Sequence, residues 1–220
     1  VARQDFGELR RALSGTLRAI LFLTIPASVG LFVLRVPLIR VLLERGEFTA
    51  SSTAVVAWAL QFYALGLPAY AAVEIVSRAF YALHDTRTPV LVGAATVALN
   101  VLLSLLLLRS LQHGGLALAN ALAVNVEMAA LLWFMRRRLG SLDARPLLLS
   151  VGRAALAATL MGVVLQLLAA WMASASPWFA AVVGVGLGSL VYIGAAYLFR
   201  SSEMAALAAG FRWRLERLAK

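Results

Sequence analysis

From Ala154 to Phe199 the chain carries no charged side chain, and Pro177 divides this stretch near its middle. A soluble domain cannot hide so long an uncharged, mostly apolar segment, because a helix at a water boundary needs a solvated face. A bilayer core of ~30 Å takes ~20 apolar residues per spanning helix. The stretch therefore reads as two membrane spans joined by a tight turn. Composition agrees: 62% of residues are hydrophobic and 14% charged, where soluble domains average about 45–50% and 25%. The chain has no cysteine, hence no disulfide framework and no thiolate metal site. Its formal charge of +10 would suit nucleic acid, but basic residues in short loops of a membrane protein set its orientation. The second reading is preferred, and no nucleic-acid partner is expected.

The other spans follow from periodic apolar runs and their punctuation. Helix one is expected at about Leu13 to Leu34, with Pro26 kinking it. Val36 to Leu43 follows, opening on Val-Pro and too short to span, and then the polar turn Glu44 to Glu47. Helix two covers about Ser52 to Tyr81, with Ser51 or Ser52 as N-cap and a kink at Gly66 and Pro68. Helix three begins at Thr88-Pro89, read as an N-cap with Pro at the first helical position, and ends at Arg109. Helix four runs from Gly115 to Phe134, helix five from near Pro146 to near Met172, and helix six from Ser176-Pro177 to Arg200. On this reading only Pro26 and Pro68 interrupt spans. Beyond Glu203, the stripe Leu207, Phe211, Leu215 and Leu218 predicts a C-terminal interfacial amphipathic helix, with a solvated polar tail as the alternative. The fold expected is thus all-α and polytopic, with six transmembrane helices. Residues 1–140 form one unit of four spans and a short non-spanning segment; residues 141–220 form a terminal helix pair with its tail.

Orientation follows from Lys and Arg. Only Arg35, Arg40, Arg45 and Arg109 fall on one side of the membrane, and the remainder fall on the other. The positive-inside rule places both termini in the cytoplasm. There is no cleavable signal peptide in view, and the start at Val1 with a polar, partly helical stretch to Leu17 reads as the beginning of a C-terminal fragment.

Ionisable groups within spans cost free energy and are functional candidates. Glu74 lies within helix two, and Arg78 follows at i+4 in the favourable order. They form either a structural ion pair near the interface or a pair lining or gating a cytoplasm-facing cavity. Glu127 has no cation within four residues on its helix, so it faces a cavity, takes a partner from elsewhere or is protonated. Asn100 and Ser104 are spaced i, i+4 on helix three, with Asn120 and Asn125 on helix four. Ser104, Asn100, Leu116 and Asn120 fall at similar depths of the hairpin. They could supply oxygen ligands, although interhelical hydrogen bonding is the preferred reading. Enzyme chemistry is not expected: there is no H-E-x-x-H, P-loop or nucleophile elbow, and His84 and His113 fall on opposite membrane sides. Helices five and six are poor in polar groups, while Gly162, Gly184 and Gly188 leave room for an apolar groove. That hairpin is expected to contact a lipid tail rather than a headgroup.

Three stretches carry a family resemblance: Arg45-Gly-Glu-Phe-Thr-Ala; Tyr63-Ala-Leu-Gly-Leu-Pro; and Ser77-Arg-Ala-Phe-Tyr-Ala-Leu-His-Asp-Thr-Arg-Thr-Pro89-Val90, with His113-Gly-Gly-Leu-Ala-Leu-Ala119 in support. In these the chain resembles the MurJ (MviN) family of lipid II flippases, within the superfamily of multidrug, oligosaccharidyl-lipid and polysaccharide exporters. The six spans resemble the last six of that family's fourteen helices. The resemblance implies a C-terminal fragment of a protein that moves undecaprenyl-pyrophosphate-linked peptidoglycan precursor across the bacterial cytoplasmic membrane by alternating access. Its partners would be that precursor, membrane lipids and the missing N-terminal half, which holds most of the headgroup-binding arginines. The terminal pair would form the groove for the lipid tail. The resemblance implies no cofactor, and coupling to sodium or to the membrane potential. The family's sodium pattern falls on Asn100, Ser104, Leu116 and Asn120, but Ser104 stands where a carboxylate is usual and Asn120 where Thr is. Loss of the anionic ligand weakens a hard-cation site. The alternatives are an exporter of another lipid-linked oligosaccharide or of drugs, and a non-transporting membrane scaffold.

Overall fold

A computed structural model describes residues 6–140, 144–171, 176–199, 201 and 203–204. Among them are six helices: α1 (Phe6–Leu43), α2 (Ala50–Ala82), α3 (Arg87–Leu111), α4 (His113–Leu139), α5 (Ala144–Trp171) and α6 (Pro177–Leu198). Each is long and apolar enough to cross a bilayer. The protein is an all-α, multi-pass membrane protein. The amphipathic stripe expected from Leu207 to Leu218 lies outside the described residues.

The first helix departs from its expected end. Val36–Leu43 is no separate segment: α1 runs unbroken for 38 residues through both Pro26 and Pro37. At 1.5 Å per residue that is ~57 Å, so α1 tilts or extends past the hydrocarbon core. Tertiary burial overrides the local stop signal, because Leu34 and Ile39, on either side of Pro37, are both buried. Three prolines therefore interrupt spans, not two.

Each interruption costs a backbone hydrogen bond, since proline removes the N–H that would meet the carbonyl four residues earlier. In hydrocarbon, neighbouring helices must satisfy the freed group. Two such pairings are present among the described residues. Pro26 frees the carbonyl of Phe22, and the Tyr192 hydroxyl of α6 donates to it at 2.6 Å. Pro68 frees the carbonyl of Ala64, and the Ser28 hydroxyl of α1 donates to it at 2.5 Å. Both bonds are buried, and both join α1 to another helix.

Helix starts show a similar mix of local and distant causes. The Ser176 side chain accepts from the Phe179 N–H, and Pro177 opens α6, as expected. At α3 the expected cap is displaced by two residues. The N-cap position is Thr86, whose side chain makes no capping bond. Asp85 does that work, accepting from the N–H groups of Arg87 and Thr88 at 3.1 Å each. At α2 the N-cap is Thr49 rather than Ser51 or Ser52.

α1 is the central element, with a buried cluster on each side. Leu13 and Leu17 pack with Val76 and Phe80 of α2 and Leu131 and Met135 of α4. Phe22 and Leu34 pack with Ala158 and Leu165 of α5 and Tyr192 of α6. Small residues bring α2 and α4 close: a Cβ on Gly66 would lie 3.3 Å from the Ala121 Cα. α3 lies outermost on α4, and Pro89 is its only buried residue.

Candidate functional site

The faces of α5 and α6 that turn toward α1 do not close on it completely. Between the three helices runs an apolar cavity of about 660 Å³, walled by Leu23, Pro26 and Gly30 of α1, Met161 of α5, and Gly188 and Tyr192 of α6. Its shape has a local cause. A Cβ on Gly184 would stand 2.8 Å from Leu34 Cδ2, and one on Gly188 would stand 3.1 Å from Leu165 Cδ1. The glycines let α6 approach its neighbours while leaving the groove beside the contact unfilled. Gly184 and Gly188 are in the groove wall. Gly162 instead lies in the α5–α1 contact, where a Cβ would meet Val29 at 2.8 Å. The Tyr192–Phe22 bond, with the two rings 5.2 Å apart, ties α6 to α1 at the groove. Such a surface offers dispersion contacts and almost no hydrogen-bonding groups, so it fits a hydrocarbon chain and not a polar headgroup.

The polar residues singled out from sequence fall elsewhere, on α2, α3 and α4. Arg78 and Glu74 form an ion pair at 2.7 Å, with the Arg78 Nε also donating to the same oxygen at 3.0 Å. Their side chains are 71% and 64% exposed, so the pair stands on an open face of α2. Glu127 is half-buried and faces Gly93 of α3, where a Cβ would lie 3.7 Å from its Oε1. Ser104 donates to Asn100 Oδ1 at 3.2 Å within α3. Asn120 Oδ1 accepts from the Tyr70 hydroxyl of α2. Asn125 Nδ2 donates to the Ala121 carbonyl at 2.7 Å. The side chains of Asn100, Ser104 and Asn120 are thus engaged with protein partners. Leu116 is exposed, one turn before Asn120. No group of three or more His, Cys, Asp or Glu residues suited to a metal occurs among the described residues.

One residue was missed. Asp85 sits in the α2–α3 turn, after His84 has taken a left-handed φ of 58°. Its Oδ2 accepts from the Thr88 hydroxyl at 2.6 Å and pairs with Arg138 at the end of α4 at 2.7 Å. The Thr88 hydroxyl and N–H, then Arg138 and the Arg87 N–H, hold its carboxyl below the ordinary range. This network clamps the α2–α3 turn to the basic end of α4. Its sequence signal was the Asp-x-x-Thr spacing before an apolar run, a variant of the capping pattern.

Comparison with known proteins identifies the family. The family described as "Lipid II flippase MurJ" matches residues 1–185. The chain belongs to the MurJ family. It is 41% identical over 157 residues to a probable lipid II flippase MurJ of Rhizobium meliloti (strain 1021), covering 70% of this chain and 29% of that protein. It is 29% identical over 202 residues to a probable lipid II flippase MurJ of Rickettsia prowazekii (strain Madrid E), covering 91% of this chain and 40% of the relative. It is 34% identical over 126 residues to the lipid II flippase MurJ of Thermosipho africanus (strain TCF52B), covering 56% and 26%. The chain thus spans well under half the length of these MurJ relatives. The MurJ family is one of transporters, not of catalysts.

Proposed function

We propose that this chain is the C-terminal part of a flippase that moves lipid-linked peptidoglycan precursor across the bacterial cytoplasmic membrane by alternating access. The observation that carries the proposal is the apolar groove between α1, α5 and α6, found in a member of a flippase family. A polyprenyl chain is long, flexible and wholly apolar, and this groove supports it along a path that a polar headgroup could not follow. The headgroup path then lies with the remainder of the protein and with the open face of α2 that carries Glu74, Arg78 and Tyr70. Helices α1 to α4 belong to the rocking lobe, and α5 and α6 form the tail-holding pair. Asn100, Ser104 and Asn120 satisfy one another or Tyr70, and no carboxylate stands among them, so the membrane potential is the favoured driving force over sodium at that position.

The orientation we propose puts the basic end, with Arg87 and Arg136 to Arg138, in the cytoplasm, and the α1–α2 turn outside. The chain has no native cysteine, which makes labelling clean. A single cysteine at Glu47 is expected to react with a membrane-impermeant maleimide from outside, and one at Arg87 only after permeabilisation. The activity is tested by complementation: the full-length protein should sustain growth of a bacterium depleted of its own lipid II flippase. Failure to do so at normal protein levels contradicts the proposal.

A further inference from the structure

At the end where α1 reaches Leu43 and α6 begins, the groove adjoins a second cavity of about 310 Å³. Leu34, Leu165 and Gly184 belong to both walls, so the two are contiguous. Their chemistry differs sharply. The second cavity is lined by Arg35 and Arg40 of α1 and Gln166 of α5, beside Pro177 and Ala180 in the first turn of α6. Among the described residues no carboxylate lines it. The acid nearest in sequence is Glu44. Its Oε2 stands 3.7 Å from Arg40 Nε and also accepts from the Thr53 hydroxyl at 2.7 Å, so it answers Arg40 only weakly. Arg35 donates one N–H to the Phe32 carbonyl at 2.5 Å and lies over the Phe32 ring, a use of one donor out of about five on a guanidinium.

An arginine within an apolar helix is costly, and its position then reflects what it binds. Arg35 lies ~12 Å inside the end of α1, and Arg40 ~7.5 Å further along, at 1.5 Å per residue. Both residues line one cavity, and their long side chains let two guanidinia converge on linked phosphoryl groups, since the planar fork pairs with phosphate oxygens bidentately. An ordinary glycerophospholipid would bring one phosphate and two chains; the site offers two cations and one groove.

We propose that this cavity holds the pyrophosphate of a polyprenyl lipid whose chain lies in the groove. The inference rests on the flippase reading and adds to it a product-side anchor. A lipid so seated has its head at the outer end and its chain toward the membrane centre, which is the orientation it needs after translocation.

The test uses the full-length protein in phosphatidylcholine nanodiscs. The probe is an undecaprenyl pyrophosphate analogue with a photoreactive group beside the pyrophosphate, and labelled peptides are mapped by mass spectrometry. Label is expected on the segments around Arg35–Arg40 and Pro177–Gly184. The double variant Arg35→Gln/Arg40→Gln should cut that label about tenfold or more, as loss of charge-assisted hydrogen bonds implies. Label elsewhere on the protein should persist in the variant. Arg109→Gln, an arginine at the same end of the molecule but on α3, should leave the pattern unchanged. Lysine at both positions should retain part of the label, which separates charge from folding. Unlabelled undecaprenyl pyrophosphate should compete, and phosphatidylglycerol or inorganic pyrophosphate should compete far less. Absence of label on both segments, an unchanged pattern in the double variant, or equal competition by phosphatidylglycerol would overturn the inference alone. Absence of label anywhere on the protein would overturn the flippase reading with it.

Discussion

The Tyr192 hydroxyl donates at 2.6 Å to the Phe22 carbonyl, four residues before Pro26, across 170 residues of sequence. Pro26 cannot serve that carbonyl, so α6 supplies what α1 lacks. The backbone bond that Pro26 removes and the α1–α6 contact are thus linked through one group. It also sets the base of the groove, because Phe22, Pro26 and Tyr192 all line it.

The pairing has a measurable signature. Tyr192→Phe leaves a buried carbonyl unsatisfied and is expected to cost about 1–2 kcal/mol. In a Pro26→Ala background the restored N–H takes over the Phe22 carbonyl, so the same change should cost much less. Thermal unfolding of the four proteins in detergent gives the double-mutant cycle. Additive losses would show that the hydroxyl's contribution does not depend on the carbonyl that Pro26 leaves free. The Ser28–Ala64 bond beside Pro68 should behave in the same way.

Acidification should act through Asp85. Its carboxyl is held below the ordinary range by the Thr88 hydroxyl and N–H first, with Arg138 in support. A depressed folded-state pKa contributes stability that is fully present above the unfolded value and is lost as pH falls through the folded one. Lowering of the midpoint as pH falls below about 4 should therefore be smaller in Asp85→Asn than in the native protein. Arg138→Gln should keep most of the pH dependence, because the Thr88 bonds persist. An identical pH profile for the native protein and Asp85→Asn would exclude the clamp as an acid-sensitive element.

The Glu74–Arg78 pair is exposed on the face of α2, so its contribution to stability is expected to be at most about 1 kcal/mol. Its effect should appear in transport. Arg78→Ala leaves Glu74 without its nearest cation, whereas Glu74→Gln/Arg78→Ala removes both charges. Transport should be impaired more by the single change than by the double. Equal impairment by both, at normal protein levels, would show that pairing is not what matters there.

Much of the fold was legible because its cues are local. Ser176-Pro177 marks a helix start through its own backbone chemistry, and Glu74 and Arg78 meet because i and i+4 share a helix face. The misread features depend on distant partners. Val-Pro at residues 36–37 signals a stop, but burial of Leu34 and Ile39 against other helices carries α1 through it. Thr88-Pro89 resembles a cap, yet Asp85 caps α3 from outside it. The glycines of α5 and α6 announced close packing, but only the structure separates Gly184 and Gly188 in the groove wall from Gly162 in the α5–α1 contact. Tyr70 as the partner of Asn120, and Tyr192 as that of Phe22, follow from helix arrangement that no local pattern encodes.

The groove between α1, α5 and α6 is tested most directly by translocation in proteoliposomes with precursors of two chain lengths. Gly184→Leu and Gly188→Leu fill the groove beside Leu34 and Leu165. Gly186→Leu is the control, since a Cβ there meets nothing within 4 Å. Filling the groove should slow the undecaprenyl-linked precursor about tenfold or more, a barrier change of ~1.4 kcal/mol, and leave a short-chain analogue nearly unaffected. Gly186→Leu should slow neither. Equal slowing of both chain lengths by Gly184→Leu and Gly188→Leu in a folded protein, or of neither, would contradict a tail-holding groove.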